Sequence, residues 1–269
     1  QNTIGDKGAI AIGSNTSWHN LKILALGYNK ISDEGAEAIG KNTIWGKLEE
    51  IWLNRNKIGC KGAVAIGINT FWTQLKILKL NMNKISDEGA AAIGGNTGWS
   101  CLEELWLNRN QIGDKGAAAI GGNICWKKLR KLELETNKIS DEGASAIGGN
   151  ATWVDLEELN LNENQIGDAG AVAIGSNTCW KKLRKLGLDS NKIGDEGAVV
   201  IGKNTTWSNL EELSLEENEI GDKGALAIGS NKTWSNIKEI NLGENPLITK
   251  AGKSALKSNE VLGKVEDFE

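Results

Sequence analysis

The chain has very little proline, histidine, methionine or tyrosine: one residue of each in 269. A single histidine excludes a metal centre built from several imidazoles. His19 also lacks the neighbouring serine or cysteine pattern of a nucleophilic catalytic system, so an enzyme is not expected. No apolar run approaches the 18 residues or so of a membrane-crossing helix, and the N-terminus lacks the basic and apolar regions of a signal peptide. A mature secreted chain stays open, because such a peptide could already have been removed. A strong charge of one sign is missing too. With 31 Lys and Arg against 35 Asp and Glu, the net charge of -4 offers no broad basic surface for a phosphate backbone, so nucleic acid is not an expected partner. Cys60, Cys101, Cys125 and Cys179 form neither a metal-ligand cluster nor close pairs. They fit free thiols in a reducing, cytoplasmic compartment, and no metal or other cofactor is implied.

What the chain has in abundance is repetition. Trp18, Trp45, Trp72, Trp99, Trp126, Trp153, Trp180, Trp207 and Trp234 recur every 27 residues without a slip. Asparagines keep the same step from Asn29 through Asn110 to Asn245. A fixed period of this size marks a solenoid, in which each unit completes its core by stacking on its neighbours. The likeness is greatest every 54 residues, as "NKISDEG" alternates with "NQIGDKG". This pattern suggests growth by duplication of paired units.

Residues 21 to 47, "LKILALGYNKISDEGAEAIGKNTIWGK", make up one unit. Leu21, Leu24 and Leu26 predict a short strand with one buried face. Asn29 then turns the chain, its amide serving backbone groups of neighbouring loops. Asp33 is placed to cap a short outer helix beginning near Glu34, with Ile31, Ala36 and Ile39 facing inward. Gly35 and Gly40 each cost about 1 kcal/mol in a helix relative to alanine. Their recurrence predicts close helix-to-sheet packing at the first and a helix end near the second. The periodic tryptophans are expected in the core between the two layers. Asn15, Asn150, Asn204 and Asn231 stand in Asn-x-Ser/Thr settings that permit glycosylation.

The array is expected to form one domain over residues 1–269. Residues 1–20 form a partial N-terminal unit, and residues 246–269 a degenerate capping unit in which Val261 replaces a tenth tryptophan. The entry in mid-unit suggests a fragment of a longer protein.

Side by side, "LKILALGYN", "LEELWLNRN" and "LRKLELETN" resemble the leucine-rich-repeat family, whose units share Leu-x-x-Leu-x-Leu-x-x-Asn. The helical half, "ISDEGAEAIG", is most similar to the ribonuclease-inhibitor-like subgroup, which includes repeat domains of NOD-like receptors and the activating protein of the GTPase Ran. The 27-residue period and the periodic tryptophan depart from those proteins. The resemblance implies an α/β horseshoe or arc, with a parallel sheet on the concave face, short helices on the convex face, and binding on the concave face.

Positions three, five, seven and eight of the nonamer avoid the core, and they vary where the core columns do not. Tyr28, Trp52, Met82 and Trp106 fall within four adjacent strands, with Arg55, Lys79 and Arg109 among them. Aromatic residues and arginines clustered on a strand face resemble an interface hot spot. Across these columns the first four units sum to +1 and the next five to -8, the latter through residues such as Glu133, Glu163 and Glu217. A protein or peptide with an apolar anchor and a basic segment would suit that polarity. Position two alternates in sign from Lys22 and Glu49 to Glu211 and Lys238, a ladder that supports strand register.

The expected function is a non-catalytic scaffold or ligand-recognition domain, either the sensing part of a receptor or a standalone interaction protein. A regulator or inhibitor of an enzyme or GTPase, and a purely structural self-associating array, are the alternatives.

Overall fold

The structure, a computed structural model, describes residues 2–257. Among these, nine three-residue strands, from Ile23–Ala25 to Glu239–Asn241, form one parallel sheet in strict chain order. The register advances by one repeat per strand, with Leu24 opposite Ile51 and Leu78 opposite Leu105. A short helix follows each strand, and consecutive helices pack on one another. Strands about 4.8 Å apart stack more tightly than helices about 8–10 Å apart, so the sheet takes the concave side of the stack. Val261 and the end of the expected capping unit lie outside the described residues, although a helix spans Lys250–Lys257.

The core is a series of identical columns. Leu102, Leu105, Leu107, Ile112, Ala117, Ile120 and Trp126 are fully buried, as are their equivalents in most units. Eight of the nine periodic tryptophans, Trp45 to Trp234, have no exposed surface. Trp18 does not fit the expectation, being 44% exposed. The reason lies in the stacking direction: each indole leans on the preceding unit, as when Trp99 Nε1 donates to the Asn69 carbonyl at 3.0 Å. Trp18 has no such loop before it among the described residues. The indole N–H groups of Trp45, Trp72, Trp126, Trp153 and Trp207 have no hydrogen-bond partner.

Two asparagine columns bind unit to unit. In the expected one, Asn110 Nδ2 donates to the carbonyls of Leu80 (3.1 Å) and Leu107 (2.9 Å), and its Oδ1 accepts from Ile85 N at 3.0 Å. The second column runs from Asn42 to Asn231 just after each helix. Asn150 Nδ2, for example, donates to the Gly121 and Asn123 carbonyls, and Oδ1 accepts from Trp153 N. This column corrects the glycosylation reading, since Asn150, Asn204 and Asn231 are buried and their amides serve the backbone. Only Asn15 of the four is partly exposed.

The aspartate column also acts differently from expectation. Asp33 begins its own helix, Asp33–Gly40, but makes no cap hydrogen bond there. Its Oδ1 instead accepts from Gly59 N (2.7 Å) and Gly62 N (2.9 Å), so it caps the helix of the next unit. The glycines serve the same inter-unit contact. A Cβ on Gly35 would lie 2.8 Å from the Ala9 Cβ of the preceding helix, so the close packing is helix on helix rather than helix on sheet. A Cβ on Gly40 would lie 2.5 Å from the Ala65 carbonyl carbon of the following helix. Gly40 does end its helix, yet the next residue, Lys41, stays right-handed, so contact with the neighbour and not a left-handed turn demands glycine.

Candidate protein-binding surface

The expected site residues lie on the exposed face and loop edge of the sheet. Position-five side chains alternate with buried leucines, so Trp52, Lys79 and Trp106 stand side by side on three consecutive strands. The Lys79 ammonium sits between the two rings, 5.1 Å from the Trp52 centroid and 4.6 Å from that of Trp106. On the far side of Trp106, Lys131 Nζ lies 4.6 Å from the ring. The result is a continuous row, Trp52, Lys79, Trp106, Lys131, in which cations stack on aromatic faces. Each indole N–H is fixed as well, Trp52 by Glu50 at 3.0 Å and Trp106 by Glu104 at 2.9 Å. Trp52 is 37% exposed, but Trp106 is only half-buried rather than freely exposed, because Lys79 and Lys131 cover its two sides.

Position eight forms the neighbouring edge. Tyr28, Arg55, Met82, Arg109, Thr136, Glu163 and Glu217 all have positive φ, between 52° and 63°, immediately before the asparagine of the first column. Left-handed backbone costs a residue with a side chain roughly 1–2 kcal/mol, and the asparagine hydrogen bonds hold it there. Arg55 stacks over the Tyr28 ring at 4.8 Å, whereas Arg109 turns to Glu135 at 3.2 Å. Met82 is half-buried. The tryptophan row and the Tyr28–Arg55 pair are therefore two clusters, with Arg109 committed to a third partner.

In the acidic half, Glu163 accepts from Thr136 Oγ1 at 3.0 Å and Glu217 from Ser190 Oγ at 2.6 Å, two and four repeats beyond Trp106. Glu133 is the exception among the expected exposed acids, with only 8% of its surface accessible. Burial pushes its carboxyl above the usual range, against the opposing pull of Lys131 at 3.1 Å and Asn160 at 3.0 Å. Asp189 is likewise pushed up by burial. Sequence reasoning missed Lys131 as a member of the tryptophan row; the signal was its place in the position-three column, one strand beyond Trp106. The position-two ladder forms as Lys22–Glu49–Lys76, Arg130–Glu157 and Arg184–Glu211–Lys238.

His19 is an exposed surface residue, and the four cysteines are free thiols. Among the described residues no group of three or more His, Cys, Asp or Glu side chains could hold a metal, and no helix is long and apolar enough to cross a membrane.

Such an open parallel sheet, backed by stacked helices and stitched by asparagines, defines a protein built from leucine-based α/β repeats. A family profile described as Leucine Rich repeat matches residues 19–40, 73–94, 100–121, 127–148, 155–175, 181–202 and 208–229, more than half of the sequence. The chain belongs to the leucine-rich-repeat family. No curated protein sequence matches it. Among solved structures it is similar to a chain of the Rad7 and Elc1 complex from yeast, at 15% identity and a TM-score of 0.58. That match covers 94% of this chain and 64% of the yeast chain, so this chain spans less than two thirds of that length. It is also similar to the internalin inlF from Listeria monocytogenes, at 21% identity, covering 98% and 94% of the two chains with a TM-score of 0.46. These are likenesses of fold.

Proposed function

We propose that this protein is a non-catalytic binding scaffold that holds a partner protein or peptide on the exposed face of its sheet. The observation that carries this reading is the row Trp52, Lys79, Trp106 and Lys131 on a face whose other columns vary freely. Packing cannot require tryptophan at position five, because other units place alanine, glycine or serine there. Two indoles held rigid by Glu50 and Glu104 offer a large apolar contact at small entropic cost. The partner's apolar anchor lies over these rings, and its basic segment extends along the acidic half. The finer likeness to ribonuclease-inhibitor-like repeats rests on the glycine-bearing helix "ISDEGAEAIG" and would extend the reading to control of an enzyme or GTPase by binding.

The test pairs capture with titration. A partner captured by the wild-type protein is titrated against the Trp52→Ala/Trp106→Ala double variant, with the thermal melt of each recorded. The expected outcome is an unchanged melt and a loss of at least about 2 kcal/mol in binding, the usual hot-spot scale. Equal affinities remove the site, and a collapsed melt reassigns both tryptophans to packing.

A further inference from the structure

The Asn162 and Asn160 amides close over Gly187, where a Cβ would stand 2.6 Å and 3.1 Å from their Oδ1 atoms. Beside them, between the position-five residues Asn160 and Ser214, the acidic half of the sheet holds a hollow of about 320 Å³. Glu133, Glu158, Asp189 and Glu212 line it, against Lys131 and Lys185, a net charge of -2. Both lysines are already engaged. Lys131 bridges Glu133 and Glu158, while Lys185 holds Glu212 at 2.6 Å. Asp189, in contrast, is held by neutral donors: Glu216 N at 2.8 Å, Asn162 Nδ2 at 3.1 Å and the Ser214 hydroxyl.

We propose that this hollow seats one arginine side chain of the partner, an inference that rests on the scaffold reading above. Each carboxylate has about four acceptor positions, so the lining holds more acceptors than its own donors fill. A guanidinium supplies five N–H donors in one plane, stays charged at every relevant pH and sheds water more readily than an ammonium. An apolar group there would leave desolvated carboxylates without a new cation, a costly exchange. The hollow also lies downstream of the tryptophan row on the same face, where an extended segment anchored at Trp106 would pass three strands later.

The repeat supplies its own means of closing the cavity. Tryptophan is accommodated at position five in Trp52 and Trp106, so Ser214→Trp fills the hollow with a side chain that this strand position accepts. The full chain, labelled for ¹H–¹⁵N spectra, is titrated with N-acetyl-arginine amide and with its uncharged citrulline counterpart. The arginine probe is expected to shift amides at Lys131, Glu133, Asn160, Gly187 and Asp189 saturably, with about tenfold or weaker binding of the citrulline probe because the charge and one N–H fork are lost. Ser214→Trp should abolish the shifts. Should that variant fail to fold, Asp189→Asn serves instead, and its response to arginine should weaken at least severalfold. Equal response to both probes, shifts confined to other strands, or undiminished binding by a folded variant overturns the proposal. Failure here with tryptophan-dependent capture intact removes the arginine seat alone, whereas loss of tryptophan dependence removes the scaffold reading.

Discussion

Asp87 caps a helix that is not its own: its Oδ1 accepts from the backbone N–H of Gly113, one repeat later, at 2.7 Å, and from Gly116 at 3.0 Å. The same link recurs from Asp6 to Asp222 and loses its carboxylate once, where Cys60 stands in the aspartate column and only a thiol faces Ser86 and Gly89. There the thiol donates to Glu88 at 2.8 Å, and the helix Asp87–Gly94 begins without a carboxylate cap.

Cys60→Asp is therefore expected to stabilise the protein by about 1 kcal/mol, the usual worth of an N-cap. The nearby Glu88 is no obstacle, because Glu142 stands at the same sequence spacing from Asp114. Asp114 also shows the result: burial pushes its carboxyl up, yet hydrogen bonds from Ser140 and Gly143 hold it below the usual value. A urea midpoint that falls or stays still refutes the assignment of the column to inter-unit capping.

Gly94→Ala should destabilise despite alanine's better helix propensity. Its Cβ would stand 2.5 Å from the Ala119 carbonyl carbon and the Ile120 nitrogen, backbone atoms that must shift. Overpacking of this kind costs about 1–3 kcal/mol. Gly46→Ala is the control, since nothing lies within 4 Å of its added carbon. Equal melting of the two variants would contradict the close helix contact.

The periodic tryptophan supports a graded series. Trp153→Ala removes a fully buried ring and should cost about 3–5 kcal/mol. Trp99→Phe and Trp153→Phe separate packing from hydrogen bonding, because Trp99 Nε1 reaches the Asn69 carbonyl while Trp153 Nε1 has no partner. Trp99→Phe should cost about 1 kcal/mol more than Trp153→Phe. Denaturant melts of the pair read this difference directly, and its absence or reversal rejects the role given to the indole N–H.

Acid should weaken the fold through two carboxylates. Glu49, hydrogen-bonded by Lys76 and Lys22, and Glu211, by Arg184 and Lys238, are lowered from 4.5 to about 2. A depressed carboxylate stabilises the folded state above its unfolded value and loses that contribution as pH falls, here between about pH 4.5 and 2. Glu133 and Asp189, raised by burial, act in the opposite sense, since protonation relieves their desolvation. The Glu49→Gln/Glu211→Gln variant should be less stable than wild type at pH 6 and converge on it near pH 2. A gap independent of pH would show that these ion pairs do not control the acid limb.

Fold was legible because the repeat enforces it. Leu105 and Leu107 flank Trp106 with strand spacing, and the 27-residue step carries every core column to the next unit, so strand, helix and layer order followed from pattern alone. Within the candidate site, the exposed face at Trp52 and Trp106 was readable from alternation, and the sign ladder from Lys22 to Lys238 from composition by position.

Contacts between units were not. A single repeat does not reveal that Asp33 reaches Gly59, that Asn150 is spent on buried carbonyls, or that Gly40 meets the backbone at Ala65. Nor does it place Lys79 between two indoles, which half-covers Trp106, or leave Trp18 without the loop its fellows lean on. Local pattern determines which face of each strand or helix is apolar. The stacking of one unit on the next decides where each polar side chain finds its partner, because that partner lies about one repeat away in sequence and only a few ångströms away in space.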